Sequence, residues 1–412
     1  MSEHIVIVGG GQAGLSCAAR LRDRGFAGEL TLLGEEPCLP YQRPPLSKAY
    51  LLGRMEVARL SLRSSAFYEK AGIRLVTGRK ALRIDRAAGR LELVDGDNLA
   101  YDRLVLATGS RARLLPASVG GSLEGVFALR TLADADRMRD ALLRAEQVLV
   151  VGGGYVGLEI ASVCAGNGAR VTVVELADRI LKRVASAETA ALVEAVHRER
   201  GVTILTGTGI ERLEGEGGVF RRALLTDGTS IAADAAVIGI GGLANDELAA
   251  GAGLAVDNGV LVDEACRTAD PAILAVGDCA AFPYQGARIR LESVQNATDQ
   301  ATAAADTLMG AAVRYRPVPW FWSDQYDVKL QTAGLPLGHD QTVTLPGERP
   351  GSAAVWYFRA GIAIAVDTLN DARTHMAARR LFGSGGRLTP ADLADPAFDL
   401  REHTRAAGAL AS

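Results

Sequence analysis

Two glycine runs carry the chemistry this chain can do. Gly9-Gly10-Gly11-Gln12-Ala13-Gly14 follows the apolar run Ile5-Val6-Ile7-Val8, and Gly152-Gly153-Gly154-Tyr155-Val156-Gly157 follows Val148-Leu149-Val150-Val151. Each reads as strand, tight turn, helix. Each is followed by an acid at the end of the next apolar run: Glu35 after Leu30-Thr31-Leu32-Leu33-Gly34, and Glu175 after Val171-Thr172-Val173-Val174. Glycines allow the turn and let backbone approach a pyrophosphate. The helix N-terminus meets the phosphates, and the carboxylate takes ribose hydroxyls. One such run is weak evidence. Two complete ones, each in a βαβ setting, point to two dinucleotides on one chain, of which a flavin and a nicotinamide exchanging a hydride are the obvious pair. A carboxylate at Glu175 suits NADH, because it binds both ribose hydroxyls and repels a 2′-phosphate. The residues just beyond it are Leu176-Ala177-Asp178, and the first basic ones are Arg179, Lys182 and Arg183, which read equally as a solvated loop.

The elements that must position these turns suggest a duplicated plan. At 412 residues the chain is too long for one core. The expected fold class is α/β, with two Rossmann-like dinucleotide-binding domains of glutathione-reductase type and a C-terminal α+β domain. The first unit closes on Leu104-Val105-Leu106-Ala107-Thr108-Gly109, the second on Ala235-Ala236-Val237-Ile238-Gly239-Ile240-Gly241. These endings resemble each other as the beginnings do. Ile273-Leu274-Ala275-Val276-Gly277-Asp278 is one more buried strand, expected to rejoin the first sheet. The resulting domains are 1–112 with 243–318, 113–242, and 319–412. Helices are expected at Ala187–Glu199, Gln295–Met309 and Asp371–Phe382, and strands at Val202–Thr206, Ala223–Thr226, Lys329–Ala333, Ala353–Arg359 and Ile362–Val366. The 48% hydrophobic and 23% charged content is ordinary for a globular protein. A net charge of −3 gives no basic field for nucleic acid. No apolar stretch approaches a membrane span, and no basic n-region precedes the first strand, so a cytoplasmic protein with no membrane partner is expected.

Several separate stretches resemble one family along essentially the whole chain. They are Leu39-Pro40-Tyr41-Gln42-Arg43-Pro44-Pro45-Leu46-Ser47-Lys48, Ala107-Thr108-Gly109-Ser110, Gly277-Asp278-Cys279, Glu292-Ser293-Val294-Gln295-Asn296-Ala297 and Pro319-Trp320-Phe321-Trp322-Ser323-Asp324-Gln325. The family is that of the NADH-dependent, FAD-containing ferredoxin reductases of bacterial haem-thiolate monooxygenases and ring-hydroxylating dioxygenases, and the chain looks like its palustrisredoxin-type members. The resemblance implies non-covalent FAD on Gly9, Gly11, Gln12, Ala13, Gly14, Glu35, Arg43, Lys48, Ala107, Thr108, Gly109, Arg130, Gly277, Asp278, Ser293, Val294 and Asn296. Asp278 would bond the ribityl chain, and the helix starting near Asn296 would turn its N-terminus to the pyrimidine end of the flavin. NADH would lie on Gly152, Gly154, Tyr155, Val156, Gly157, Glu159, Glu175, Gly239 and Gly241. Lys48, which alone reads as a solvated helix lysine, is implied to lie beside flavin N5 and to pair with Glu159, the two forming the catalytic set. The sequence departs from the family at Gly241-Gly242-Leu243-Ala244-Asn245, where relatives often carry proline before the asparagine.

The five cysteines, Cys17, Cys38, Cys164, Cys266 and Cys279, are scattered. Five residues after Cys38 stands Arg43, so the redox pair of disulfide reductases is missing. No cluster has iron–sulfur or zinc spacing, so no metal is expected in the chain itself. Electrons must then leave to an external carrier, which the resemblance makes a 2Fe–2S ferredoxin feeding a haem-thiolate monooxygenase. Ring-hydroxylating dioxygenase ferredoxins and rubredoxin are the alternatives; an NADH oxidase or peroxidase using Cys38 and a redox-sensing scaffold are rivals of other classes. Trp322, Lys329, Arg373, Arg379 and Arg380 are candidates for docking the partner, since an acidic ferredoxin would be steered by a local basic patch.

Overall fold

Apolar runs rich in Val, Ile and Leu form strands buried on both faces, which is what parallel sheets require. In the computed structural model, which describes residues 2–410, the chain divides into two compact units. Of the described residues, one comprises 2–43, 56–111 and 242–317, the other 44–55, 112–241 and 318–410.

The first unit holds a five-stranded sheet ordered Ile273–Ala275, Arg103–Leu106, His4–Val8, Glu29–Leu33, Arg74–Val76, parallel throughout. Helix Gln12–Asp23 connects its first two strands in the chain, and helix Val294–Leu308 packs beside that helix. Ion pairs from Arg20 and Arg24 to Asp306 tie these two helices. The core takes Ile5, Ile7, Leu32 and Val105 from the strands and Cys17 and Ala18 from the helix. A three-stranded antiparallel sheet, Ala81–Asp85, Arg90–Leu93 and Asn98–Ala100, precedes the strand Arg103–Leu106.

The second unit repeats the plan. Its parallel sheet runs Thr203–Thr206, Arg170–Glu175, Gln147–Val151, Ala235–Ile238, Val126–Phe127, with a three-stranded antiparallel sheet again inserted before the strand Ala235–Ile238. Four strands of each sheet therefore match in order. The fifth has a different origin: the strand Ile273–Ala275 comes late in the chain, whereas Val126–Phe127 precedes the fingerprint. The same unit carries a second layer, an antiparallel sheet ordered Trp320–Gln325, Val328–Gly334, Ile362–Leu369, Ala353–Arg359, Gln341–Pro346, with helix Ala372–Gly383 packed on it.

Residues 44–55, which the sequence placed with the first domain, group with the second unit. The physical reason is local. Leu51 is fully buried in the core of that unit with Met138 and Leu142, and the Tyr50 hydroxyl donates to Asp136 at 2.5 Å. The expected helix Ala187–Glu199 and strand Ala353–Arg359 have the bounds observed. The strand Gln341–Pro346 was not anticipated, because its alternation is too polar to stand out.

Candidate functional site

Both fingerprints make the same cradle. Gly9 has φ +128°, and a Cβ there would lie 2.0 Å from the Ala107 carbonyl; Gly152 has φ +104° and the Gly239 carbonyl would lie at 2.4 Å. No side chain fits at these two turns. Gly11 is the opposite case, with open space where a side chain would stand. Of the six helices with twelve or more residues among the described residues, four are capped by a side chain: Thr131, Ser186, Ser293 and Asp371. The other two are the fingerprint helices Gln12–Asp23 and Tyr155–Gly166, which begin after Gly11 and Gly154 with no side-chain cap and no acid in the first turn. Their first N–H groups and positive dipole ends remain available to an anion. The cradles thus fit a dinucleotide pyrophosphate.

Around the first cradle, Gln12 reaches across to the Thr298 hydroxyl at 3.2 Å, and Ala13 stands so close to Gly277 that a Cβ on the latter would meet it at 2.9 Å. Ser110 donates to the Asp278 carboxylate at 3.1 Å, and the Gly277 N–H donates to Gln300 at 2.7 Å. Ser293 is spent as the cap that accepts the Asn296 N–H, while the Asn296 side chain is fully buried between Tyr315 and the Leu291 carbonyl. Val294 is the first residue of the helix that Ser293 caps. Glu35 is exposed and ion-paired with Lys80 at 2.9 Å. Arg43 is held by Glu36 at 2.7 Å, with Tyr41 donating to the other carboxylate oxygen at 2.6 Å. Arg130 belongs to the second unit, its N–H bonded to Asp134.

The loop without proline is braced by other means. Asn245 Nδ2 donates to the Thr108 carbonyl at 2.9 Å, the Asn245 N–H donates to that of Gly109 at 2.9 Å, and the Thr108 hydroxyl donates to the Asn245 carbonyl at 2.6 Å. The turn Ala107-Thr108-Gly109 is fixed by these bonds.

At the second cradle, Glu175 is not a free carboxylate. Oε2 accepts the Gly153 N–H at 2.7 Å and Oε1 accepts the Ala177 N–H at 2.8 Å, so the acid braces the glycine turn from below. The Tyr155 ring lies 4.6 Å from that of Phe321, and burial raises its pKa. Val156, one residue further, is exposed. A Cβ on Gly239 would lie 3.3 Å from the Gly157 Cα, and Gly241, at φ +101°, ends the loop with its carbonyl accepting the Arg113 N–H.

Lys48 and Glu159 meet inside the second unit. Lys48 Nζ lies 2.7 Å from Glu159 Oε2 and 3.3 Å from the Pro44 carbonyl, which the single turn Pro44–Ser47 presents. Glu159 is only 4% exposed, and Ser47 also donates to Oε2, at 2.5 Å. A buried carboxylate survives only if paired and hydrogen-bonded, and here it has both. Sequence reasoning missed Ser47, although it sits beside Lys48 in the same motif. It also missed Ser323, which donates to Oε1 at 2.7 Å, as well as Glu36 and Asn245.

Among the docking candidates, Trp322 stacks on Trp320 at 5.6 Å, and Arg379 lies over the Trp320 ring at 4.3 Å. Arg373 pairs with Glu348 at 2.7 Å, while Lys329 and Arg380 are exposed. All five cysteines are free thiols; four are buried, and burial with the Glu36 charge raises the pKa of the half-buried Cys38. Among the described residues no His, Cys and carboxylate group could hold a metal ion, and no helix is long and apolar enough to cross a membrane.

Two cradles of this design, the second with a buried glutamate on its fingerprint helix paired to a lysine of the same unit, define an oxidoreductase. The chain belongs to the pyridine nucleotide-disulphide oxidoreductase family, whose model matches residues 3–301, and residues 320–404 match the family described as reductase C-terminal. The family uses FAD and NAD(P)H. Rhodocoxin reductase of Rhodococcus erythropolis is 44% identical to it, over 96% of this chain and 93% of that protein. The ferredoxin reductase for the CYP199A2 system from Rhodopseudomonas palustris superposes with a TM-score of 0.94 at 38% identity, covering 98% of this chain and all of that one. The covalent putidaredoxin reductase–putidaredoxin complex gives a TM-score of 0.94 at 40% identity, covering 99% of each chain.

Proposed function

We propose that this protein is an NADH-dependent, FAD-containing reductase of a 2Fe–2S ferredoxin that in turn feeds a haem-thiolate monooxygenase, acting in the cytoplasm. The observation that carries this reading is the combination of two nucleotide cradles with no dithiol: the cysteines are separate, and the most accessible, Cys38, is a poor thiolate. Electrons entering from NADH then have no internal disulfide to reduce and leave to an external acceptor. The names of the similar proteins, reductases of ferredoxin-type carriers, support the same conclusion.

Bound FAD would supply the redox chemistry, two-electron reduction by NADH and one-electron release to the ferredoxin. The residues assigned to this work divide along the domains 1–112 with 243–318 for FAD, 113–242 for NADH, and 319–412 for the partner. The first cradle, with Gly9, Gly11 and Gly14, takes the FAD pyrophosphate, and Asp278 orients the chain between phosphate and ring. The second, with Gly152, Gly154 and Gly157, takes the NADH pyrophosphate, and Glu175 selects the unphosphorylated ribose. Lys48 supplies a fixed positive charge where negative charge accumulates, and Glu159 holds it there. Trp322, Lys329, Arg373, Arg379 and Arg380 form the surface that meets an acidic ferredoxin.

The purified holoprotein is expected to reduce cytochrome c slowly alone and far faster when a 2Fe–2S ferredoxin is added. No gain with putidaredoxin-type, dioxygenase-type or rubredoxin carriers refutes the reading. Rapid oxygen consumption that Cys38→Ser abolishes would instead identify an oxidase.

A further inference from the structure

The strand Trp320–Gln325 turns polar side chains into the interior of its unit. Ser323 is fully buried, Gln325 nearly so, and His197, from helix Ala187–Glu199, fully buried. Their polar atoms form a line that ends at Glu159. Ser323 Oγ lies 2.7 Å from Glu159 Oε1, Gln325 Nε2 lies 3.1 Å from Ser323 Oγ, His197 Nε2 lies 2.8 Å from Gln325 Oε1, and the Tyr326 hydroxyl lies 3.3 Å from His197 Nδ1.

The direction of every bond follows by elimination. An ionised carboxylate only accepts, so the Ser323 proton goes to Glu159. Ser323 must then accept from the Gln325 amide group, which leaves Gln325 Oε1 as an acceptor and requires a proton on His197 Nε2. Burial, aided by the nearby Arg200 charge, keeps His197 neutral despite the opposing Gln325 bond. Its Nδ1 is therefore bare and accepts from Tyr326. All four donors point the same way, toward Glu159, and bonds aligned in series strengthen one another. The line begins at the half-buried Tyr326, whose ring lies 4.7 Å beneath the Arg200 guanidinium; Arg200 also pairs with Asp327.

A buried strand face made of Ser and Gln costs stability unless each group is satisfied, and an apolar face would pack as well without the risk. The polar choice makes sense if the carboxylate at its end has to be held in one orientation. Glu159 Oε2 already serves Lys48 and Ser47. Without a donor on Oε1, the carboxylate can rotate and present either oxygen to Lys48.

We propose that Ser323 is a positioning residue for the hydride-transfer site: its bond to Oε1 sets the rotation of the Glu159 carboxylate, and Gln325 and His197 hold the Ser323 hydroxyl in the direction this requires. The C-terminal domain is then a structural arm of the nicotinamide site as well as a docking surface. This rests on the reading of Lys48 and Glu159 as the working pair.

The test uses the FAD-loaded protein and the limiting rate of anaerobic flavin reduction at saturating NADH. Ser323→Ala is expected to slow it about fivefold to tenfold, the scale of one hydrogen bond to a charged group partly compensated, with the apparent NADH Kd changed less than about twofold. Ser323→Thr, which keeps the hydroxyl, should restore the rate. Added to Glu159→Gln, Ser323→Ala should have almost no further effect. A readout independent of turnover is urea unfolding of the FAD-loaded protein, where the two substitutions should be non-additive by about fivefold or more in the unfolding constant. If Ser323→Ala does not load FAD, Ser323→Cys replaces the donor by a weak one at similar volume, and a wild-type rate in that variant overturns the proposal. So does a wild-type rate in Ser323→Ala while Glu159→Gln is slow, in which case the Lys48–Glu159 reading stands. A wild-type rate in Glu159→Gln removes that reading, and the proposal with it.

Discussion

Replacing Glu175 by alanine tests two roles at once, and the structure separates their sizes. The carboxylate accepts two backbone N–H groups, from Gly153 at 2.7 Å and Ala177 at 2.8 Å. A hydrogen bond to a charged group is worth about 1.5–3 kcal/mol. Glu175 is only half-buried, so solvent recovers part of the loss, and about 2 kcal/mol in unfolding free energy is expected for the pair together. The second role, the one proposed above, is ribose recognition, whose loss should cost kcat/KM for NADH roughly tenfold to a hundredfold. Glu175→Gln should not rescue the brace, because its amide NH2 would face one of the two backbone donors. Glu175→Arg should shift preference toward NADPH, since a guanidinium pairs with the 2′-phosphate through two bonds. Ferricyanide reduction with varied NADH and NADPH reads the specificity, and urea unfolding reads the brace. The FAD spectrum should stay unchanged, because the first fingerprint belongs to the other unit. A wild-type preference for NADPH, or equal use of NADH by Glu175→Ala, refutes the assignment of this carboxylate.

Lys48→Met leaves Glu159 as a buried charge without its cation, and should lower stability by about 3 kcal/mol as well as slowing flavin reduction at least tenfold; equal stopped-flow rates would take Lys48 off the site. Arg379→Glu with Arg380→Glu should raise the KM for ferredoxin and flatten its salt dependence while ferricyanide reduction stays normal, and an unchanged KM would place docking elsewhere. Burial, with Arg379 and Lys329 nearby, pushes His375 from its ordinary 6.5 down to about 4. The unfolded chain takes up a proton that the folded one refuses, so this contribution is complete above pH 6.5 and is lost as pH falls toward 4. Tm measured across that range should fall less steeply in His375→Leu than in wild type, and parallel curves would contradict the sign.

The two cradles were legible because their chemistry is local. A turn at φ +128° beside a carbonyl excludes every residue but glycine, and the apolar runs on either side admit only buried strands. Cys17 and Cys164, each on its fingerprint helix, pack in the two cores as the matching plans require. Less legible was everything that depends on tertiary approach. Nothing near Asn245 in the chain shows that it grips Thr108, more than a hundred residues earlier. Ser323 stands among Trp320, Phe321 and Trp322, and the aromatic residues drew the eye to the surface while the serine carried the inward contact. Residues 44–55 illustrate the same limit. Their motif ties them by likeness to the first nucleotide, but Tyr50 and Leu51 pack on the helix Leu132–Arg144 and group the segment with the second.

That grouping bears on how a duplicated fold acquires one reaction. Each parallel sheet repeats the same four-strand order, and each fingerprint helix is left uncapped, so duplication alone yields two equivalent anion sites. The asymmetry lies in what each acid and each helix meets next. Glu35 is exposed and bound to a lysine side chain, whereas Glu175 is folded back onto its own glycine turn. The first fingerprint helix ties its neighbour through surface ion pairs to Asp306. The second carries a buried Glu159 that gathers Ser47 and Lys48 from one segment and Ser323 from a distant strand. A carboxylate in that position has no counterpart in the first helix, where Ser16 occupies the equivalent place after Gly14-Leu15. Exchanging the two residue types would therefore not exchange the functions: a glutamate at 16 would lack the converging donors, and a serine at 159 would leave Lys48 without its anion. Specialisation of the second cradle is thus a property of two segments converging on one helix position, which lies beyond the glycine run and so is not visible in the fingerprint itself.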